Sequence, residues 1–108
     1  MSLEISPRDL AMHIENGQPV RLIDVRQPWE AKLSQLANSL LIPLNELPAR
    51  AGEIATDPAT LTVVYCHHGV RSLSATEYLR RLGHANVRSL AGGIDAWSCE
   101  VDPTLPRY

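Results

Sequence analysis

LTVVYCHHGVRS, residues 61–72, begins as an apolar run and ends on an arginine and a serine. LTVVY is almost continuously apolar and rich in β-branched side chains. That pattern reads as a strand buried on both faces, as in a parallel sheet, not as a half-wetted antiparallel one. From residue 71 the period changes. Ala75, Tyr78, Leu79 and Leu82 fall on one stripe at helical spacing, and Gly83 follows as a stop. A strand therefore passes through a short loop directly into a helix over residues 71–82. Cys66 stands at the junction.

The same alternation extends to both sides. Upstream, Ser6-Pro7-Arg8-Asp9 reads as a helix start: a capping hydroxyl, a proline in the first turn and an acid at the positive end of the dipole. Leu10 and Ile14 share a face of that helix, and Asn16-Gly17 ends it. VRLIDV, residues 20–25, is strand-like, and Pro28-Trp29-Glu30-Ala31 opens a short helix. Residues 39–42 form a short apolar strand stopped by Pro43. Residues 44–55 look helical, with Pro48 required to sit in a first turn or to break the segment. Downstream, residues 87–90 read as a last short strand, and Gly92-Gly93 turns into a final helix through Ala96 and Trp97. Strands alternating with helices predict an α/β fold. Its central sheet should be mostly parallel, with about four to five strands and helices on both faces.

Length and composition agree with one domain spanning residues 1–108. The chain has 108 residues, 44% apolar and 20% charged, enough for one core without disulfides. A formal net charge of −2 with no basic block argues against a general nucleic-acid surface. Two cysteines, Cys66 and Cys99, form no disulfide framework and fit a reducing compartment or a functional thiol. MSLEISPRDL has no apolar run after its charges, so no signal peptide is expected, and no stretch reaches the ~20 apolar residues of a membrane span. A cytoplasmic location without membrane contact is expected.

In an open parallel sheet, ligands bind beyond the carboxyl ends of the strands, which is where Cys66 falls. His67, His68, Gly69 and Val70 then form a short loop whose successive amides can point inward as an anion-binding nest. The start of the following helix adds partial positive charge at the same place. Such a setting favours a thiolate, or an anion attached to its sulfur. Cysteine beside two histidines also suggests a metal. However, three consecutive residues cannot all point at one ion, and a structural zinc needs four ligands at chelating spacings. No metal is expected.

The chain as a whole resembles a single-domain rhodanese, a family of sulfurtransferases. The resemblance rests on LIDVR at residues 22–26, YCHHGVRS at 65–72 and LAGGIDAW at 90–97, in the family's order and spacing. It implies that Cys66 takes a sulfane sulfur from a donor such as thiosulfate and holds it as a persulfide. The sulfur then passes to a thiophilic acceptor, cyanide or a thiol, a protein thiol included. No cofactor is implied. The residues from Cys66 to Arg71 correspond to the family's six-residue active-site loop, whose amides would hold the persulfide. One stretch departs from the family: Ser34-Gln35-Leu36-Ala37-Asn38-Ser39 stands where Gly-His-Ile-x-Gly-Ala is usual. Leu36 keeps the apolar position there, and Asn38 is the best non-glycine choice for a left-handed backbone.

The remaining candidates have more modest roles. His67 and His68 either line the pocket mouth, with a weak and tunable attraction for an anionic donor, or are solvated loop residues. Arg71 either grips the donor's anionic group or, the preferred reading, braces the loop by pairing with a carboxylate, Asp24 being the candidate. Asp24 and Arg26 lie at the end of the first long strand and read as supporting residues; Arg26 and Glu30, four apart, can pair. Ser72 caps the helix or donates to the loop. Gly92 and Gly93 allow close backbone approach, and Trp97 reads as core. Cys99 is followed by no such loop or helix start and reads as incidental. Two rival functions remain. Cysteine-dependent phosphatases and thiol arsenate reductases share these electrostatics, but place five residues between cysteine and arginine to ring a tetrahedral oxyanion. Here four intervene, which suits a single sulfur atom. A non-catalytic interaction module of the same fold is the other rival; the presence of Cys66 weighs against it.

Overall fold

LTVVY forms the central strand of a five-stranded sheet, and the sheet is parallel throughout. In the computed structural model, which describes residues 2–55 and 57–108, the strands are β1 (Glu4–Ile5), β2 (Val20–Asp24), β3 (Ser39–Leu41), β4 (Leu61–Tyr65) and β5 (Val87–Leu90). They lie in the order β1-β5-β4-β2-β3. All five residues of β4 are buried. Val64 faces one side and Val63 and Tyr65 the other, the two-residue alternation of a strand covered on both faces.

Among the described residues the α-helices are α1 (Pro7–Glu15), α2 (Pro28–Leu33), α3 (Leu47–Arg50), α4 (Val70–Arg81) and α5 (Gly93–Glu100). On one side Ala75 and Leu79 of α4, with Leu47 and Ile54, pack on Ile23, Val25 and Val64. On the other, Leu10 of α1 and Ile94 of α5 pack with Leu36 on Val63, Tyr65 and Leu90. Burying each large apolar side chain contributes roughly 1.5–3 kcal/mol. The two clusters together bury both faces of the sheet. Among the described residues, no helix is long and apolar enough to cross a membrane.

The expected architecture is present, with local corrections. β1 was not foreseen: two residues pairing with Ser89 and Leu90 are too few to show a period. Residues 44–55 do not make one helix. They break into a tight turn (Leu44–Glu46), α3 with Pro48 in its first turn, and a second tight turn (Ala51–Glu53), because Pro48 has no N–H to continue a hydrogen-bonded ladder. The buried stripe of α4 is Ser72, Ala75, Thr76 and Leu79. Leu82 is 52% exposed, since α4 ends at Arg81 and the chain turns away, Gly83 N–H donating to Arg80 O. Likewise Leu10 of α1 is buried, whereas Ile14 is exposed. Asn38 adopts the left-handed backbone expected of it, with φ 64°.

Candidate functional site

Cys66 follows β4 immediately and its side chain is buried between strand and helix. Two backbone N–H groups donate to its Sγ: Gly69 at 3.1 Å and Ser72 at 3.3 Å. The cause is local. A helix leaves its first N–H groups without partners, and a capping side chain usually accepts one of them. Here the N-cap is Gly69, with φ 100° and no side chain to offer. Ser72 is the third residue of α4, so the orphaned N–H a cap would take points at the cysteine sulfur instead. The Ser72 hydroxyl lies 3.4 Å from Sγ and 2.7 Å from the Ser89 hydroxyl, which ties the cradle to β5.

The start of α5 supports the loop from behind. Ile94 N–H donates to Cys66 O at 2.8 Å and Asp95 N–H donates to His67 O at 3.1 Å. The approach is close enough that a Cβ on Gly93 would lie 2.4 Å from His67 O and 2.5 Å from Cys66 O. The close approach read from Gly92-Gly93 is therefore present at Gly93, where its partner is the loop's own backbone, whereas a Cβ on Gly92 would meet the Ala96 side chain of α5.

The charged residues pair differently from the expectation. Arg71 does brace the loop, but its carboxylate is Glu30 of α2, not Asp24: Nη1 donates to Oε1 at 2.7 Å and Nη2 to Oε2 at 2.9 Å. Asp24 is already engaged two residues along, accepting from Arg26 Nε at 2.9 Å, Arg26 Nη2 at 2.8 Å and the Arg26 backbone N–H at 3.0 Å. Arg26 in turn reaches the backbone carbonyl of Glu30 at 3.3 Å, not its carboxylate. Arg26 is fully buried, which is tolerable only because every guanidinium N–H has an acceptor. Besides Asp24 and Glu30 O, these are Ser34 O at 2.7 Å and the Tyr108 hydroxyl at 3.1 Å.

The Arg71 fork holds Glu30 at about 2, against an ordinary 4.5, with the Gln27 N–H and the Tyr108 hydroxyl adding to the effect and burial opposing it. A depressed carboxyl stabilises the fold fully above its ordinary value and loses that contribution as pH falls through about 2. The Glu30 side chain is only 4% exposed, so a shift of this size corresponds to about 3 kcal/mol. Denaturant unfolding of wild type and Glu30→Gln should therefore differ by about this amount near neutral pH, and the gap should narrow between about pH 4.5 and pH 2. A gap independent of pH over that window would show that the pair does not act as an ion pair.

His67 and His68 stack on each other with ring centroids 3.9 Å apart. On its other face His67 stacks on Tyr108, also at 3.9 Å and nearly parallel, at 8°. Burial first, and then the neighbouring His68, lower the His67 pKa below the ordinary range. His68 and Val70 point outward and are exposed, His68 standing 3.9 Å from Asp95. Tyr108 escaped the sequence reading. It lies far from the loop along the chain, in a tail with no periodic pattern, and nothing in PTLPRY (residues 103–108) announces a site residue.

Residues 6–100 match the rhodanese-like domain family. The chain belongs to this family. It is 35% identical over 95 residues to a sulfurtransferase of Allochromatium vinosum, covering 88% of this chain and 87% of that one. It is 32% identical over 104 residues to MoeZ of Mycobacterium tuberculosis, named as a probable adenylyltransferase/sulfurtransferase; the match covers 96% of this chain and 26% of that longer protein. A rhodanese-related protein of Thermoplasma volcanium superposes with a TM-score of 0.80 at 31% identity, covering 97% of this chain and 96% of that one.

Within this rhodanese-like domain the structure brings together most of the residues singled out from the sequence. Cys66, Gly69 and Ser72 form the sulfur cradle. Asp24 and Arg26 pair with each other at the end of β2, and Arg71 locks to α2. Cys99 is exposed on α5 and unpaired.

Proposed function

We propose that the protein is a sulfurtransferase that carries sulfane sulfur as a persulfide on Cys66. The observation that carries this reading is the seat of Sγ. It lies at the carboxyl end of β4, at the start of α4, with N–H groups of Gly69 and Ser72 directed at it. The kinship with the Allochromatium sulfurtransferase supports the same class.

In the first half-reaction the Cys66 thiolate attacks the outer sulfur of thiosulfate. The new S–S bond forms as the thiosulfate S–S bond breaks, and sulfite departs with the electron pair. The terminal sulfur of the persulfide is then the anion that the loop amides from His67 to Ser72 and the α4 dipole stabilise. In the second half-reaction cyanide, or a small or protein thiolate, attacks that terminal sulfur. The S–S bond to Cys66 breaks, the thiolate returns, and thiocyanate or a new persulfide leaves. Charge-assisted hydrogen bonds of this kind contribute roughly 1.5–3 kcal/mol each. The N–H groups of Gly69 and Ser72 supply two such bonds at Sγ. Arg71 acts here by holding the loop, because Glu30 occupies its fork.

Thiosulfate alone should add the mass of one sulfur atom to the protein. Peptide mapping should place it between Arg50 and Arg71, and cyanide should remove it. Initial rates with both substrates varied should give parallel lines, the mark of a covalent two-step mechanism. Intersecting lines with no mass change on Cys66 would sink the proposal. Turnover of an aryl phosphate in place of thiosulfate would assign the loop to phosphoryl chemistry instead.

A further inference from the structure

Tyr108 touches three parts of the site at once. Its hydroxyl donates to Glu30 Oε2 at 2.7 Å and accepts from Arg26 Nη1 at 3.1 Å. The direction is unambiguous, because a guanidinium can only donate. Its ring stacks on His67, and Trp29 of α2 meets it edge-on at 6.2 Å. The tail is held so as to deliver it there. Leu105 packs against the core of the α1–α5 face, and the Ser98 hydroxyl donates to Leu105 O at 2.7 Å. Arg107 forks onto Asp95 at 2.8 and 3.3 Å, the residue whose N–H holds His67 O.

We propose that Tyr108 is a positioning residue of this site: its hydroxyl joins the Asp24–Arg26 pair to the Glu30–Arg71 pair, and its ring fixes His67 as one wall of the mouth beside Cys66. Without the hydroxyl, Glu30 Oε2 keeps Arg71 but loses the donor that sets its angle, and one N–H of the buried Arg26 loses its acceptor. Arg71 is the second residue of α4, next to the Ser72 N–H that donates to Sγ, so its freedom becomes the freedom of the Cys66 cradle. Without the ring, His67 loses the face that shields it from water. The kinetic part of the argument rests on the sulfurtransferase reading; the structural part does not.

The test compares Tyr108→Phe and Tyr108→Ala in the full chain. Tyr108→Phe keeps the stack and should lower kcat with thiosulfate and cyanide about tenfold, the scale of one hydrogen bond in a charged network, with KM for thiosulfate nearly unchanged. Tyr108→Ala should lose at least as much. In addition, the His67 ring titration followed by NMR should move up toward the ordinary histidine value. The groups that face His67 and share in that titration are His68, Glu30, Asp95 and Tyr108 itself, beside Cys66 in its own loop. Tyr108→Phe, with its ring in place, should leave that titration low. Wild-type kcat in Tyr108→Phe overturns the hydroxyl's role, and an unmoved His67 titration in a folded Tyr108→Ala overturns the ring's. If wild type itself transfers no sulfur, the sulfurtransferase reading fails, while the His67 titration still decides the positioning.

Discussion

Serine in place of Cys66 is expected to abolish sulfur transfer from thiosulfate to cyanide, by about a thousandfold or more, as removal of a covalent nucleophile does. Serine in place of Cys99 should leave the rate near wild type. A hydroxyl cannot form a persulfide, so the loss is chemical. The fold should survive, because the two residues are nearly the same size, the Gly69 and Ser72 N–H groups still find an oxygen acceptor where the sulfur stood, and a serine hydroxyl can donate to the Ser72 hydroxyl oxygen as the thiol does. Circular dichroism and denaturant midpoints close to wild type would show that the lost rate reports the missing thiolate. Cys99 is exposed and free on α5, and among the described residues no N–H group donates to its sulfur. Comparable thiosulfate turnover in wild type and Cys66→Ser would remove Cys66 from the mechanism.

Local patterns were legible in the sequence, and contacts between distant segments were not. The apolar run of LTVVY and the helical stripe after it put Cys66 at a strand-to-helix junction, and both are consecutive residues whose period can be read directly. The sulfur cradle follows from that junction, because it is built by N–H groups three and six residues after Cys66. Arg71 was read as a brace with the wrong partner. Glu30 is 41 positions away, and no period links an acid in the first turn of α2 to the end of a loop after β4. Asp24 looked available at the level of sequence, yet the Arg26 two residues on takes it first, since a local turn costs less chain entropy than a distant pairing. Tyr108 is 82 positions from Arg26 and 78 from Glu30. Its place depends on where the tail is anchored along α5, and that is decided by tertiary packing. β1 had too few residues to carry a pattern, and Pro48 marked a break whose form depended on packing around Leu47.

Alanine in place of Gly93 should damage both stability and sulfur transfer, although Gly93 lies far from Cys66 in sequence. Two costs add. Gly93 has φ 64°, a left-handed backbone that an alanine adopts at a cost of order 1–3 kcal/mol. The added methyl would also sit 2.4 Å from His67 O and 2.5 Å from Cys66 O, backbone atoms that no rotamer change can move aside. Either α5 backs away, breaking the hydrogen bonds from Ile94 to Cys66 O and from Asp95 to His67 O, or the loop is pushed out of register with Sγ. A control separates the two costs. Gly17 has φ 71° with nothing within 4 Å of an added Cβ, so Gly17→Ala carries the backbone strain without the collision. Gly17→Ala should lose about 1 kcal/mol in urea unfolding with normal thiosulfate turnover. Gly93→Ala should lose about 3 kcal/mol or more, and its folded fraction should take up sulfur from thiosulfate far more slowly than wild type. Equal losses in the two variants would mean that the contact between α5 and the loop is loose, and that the backbone of the sulfur cradle is held in place by β4 and α4 alone.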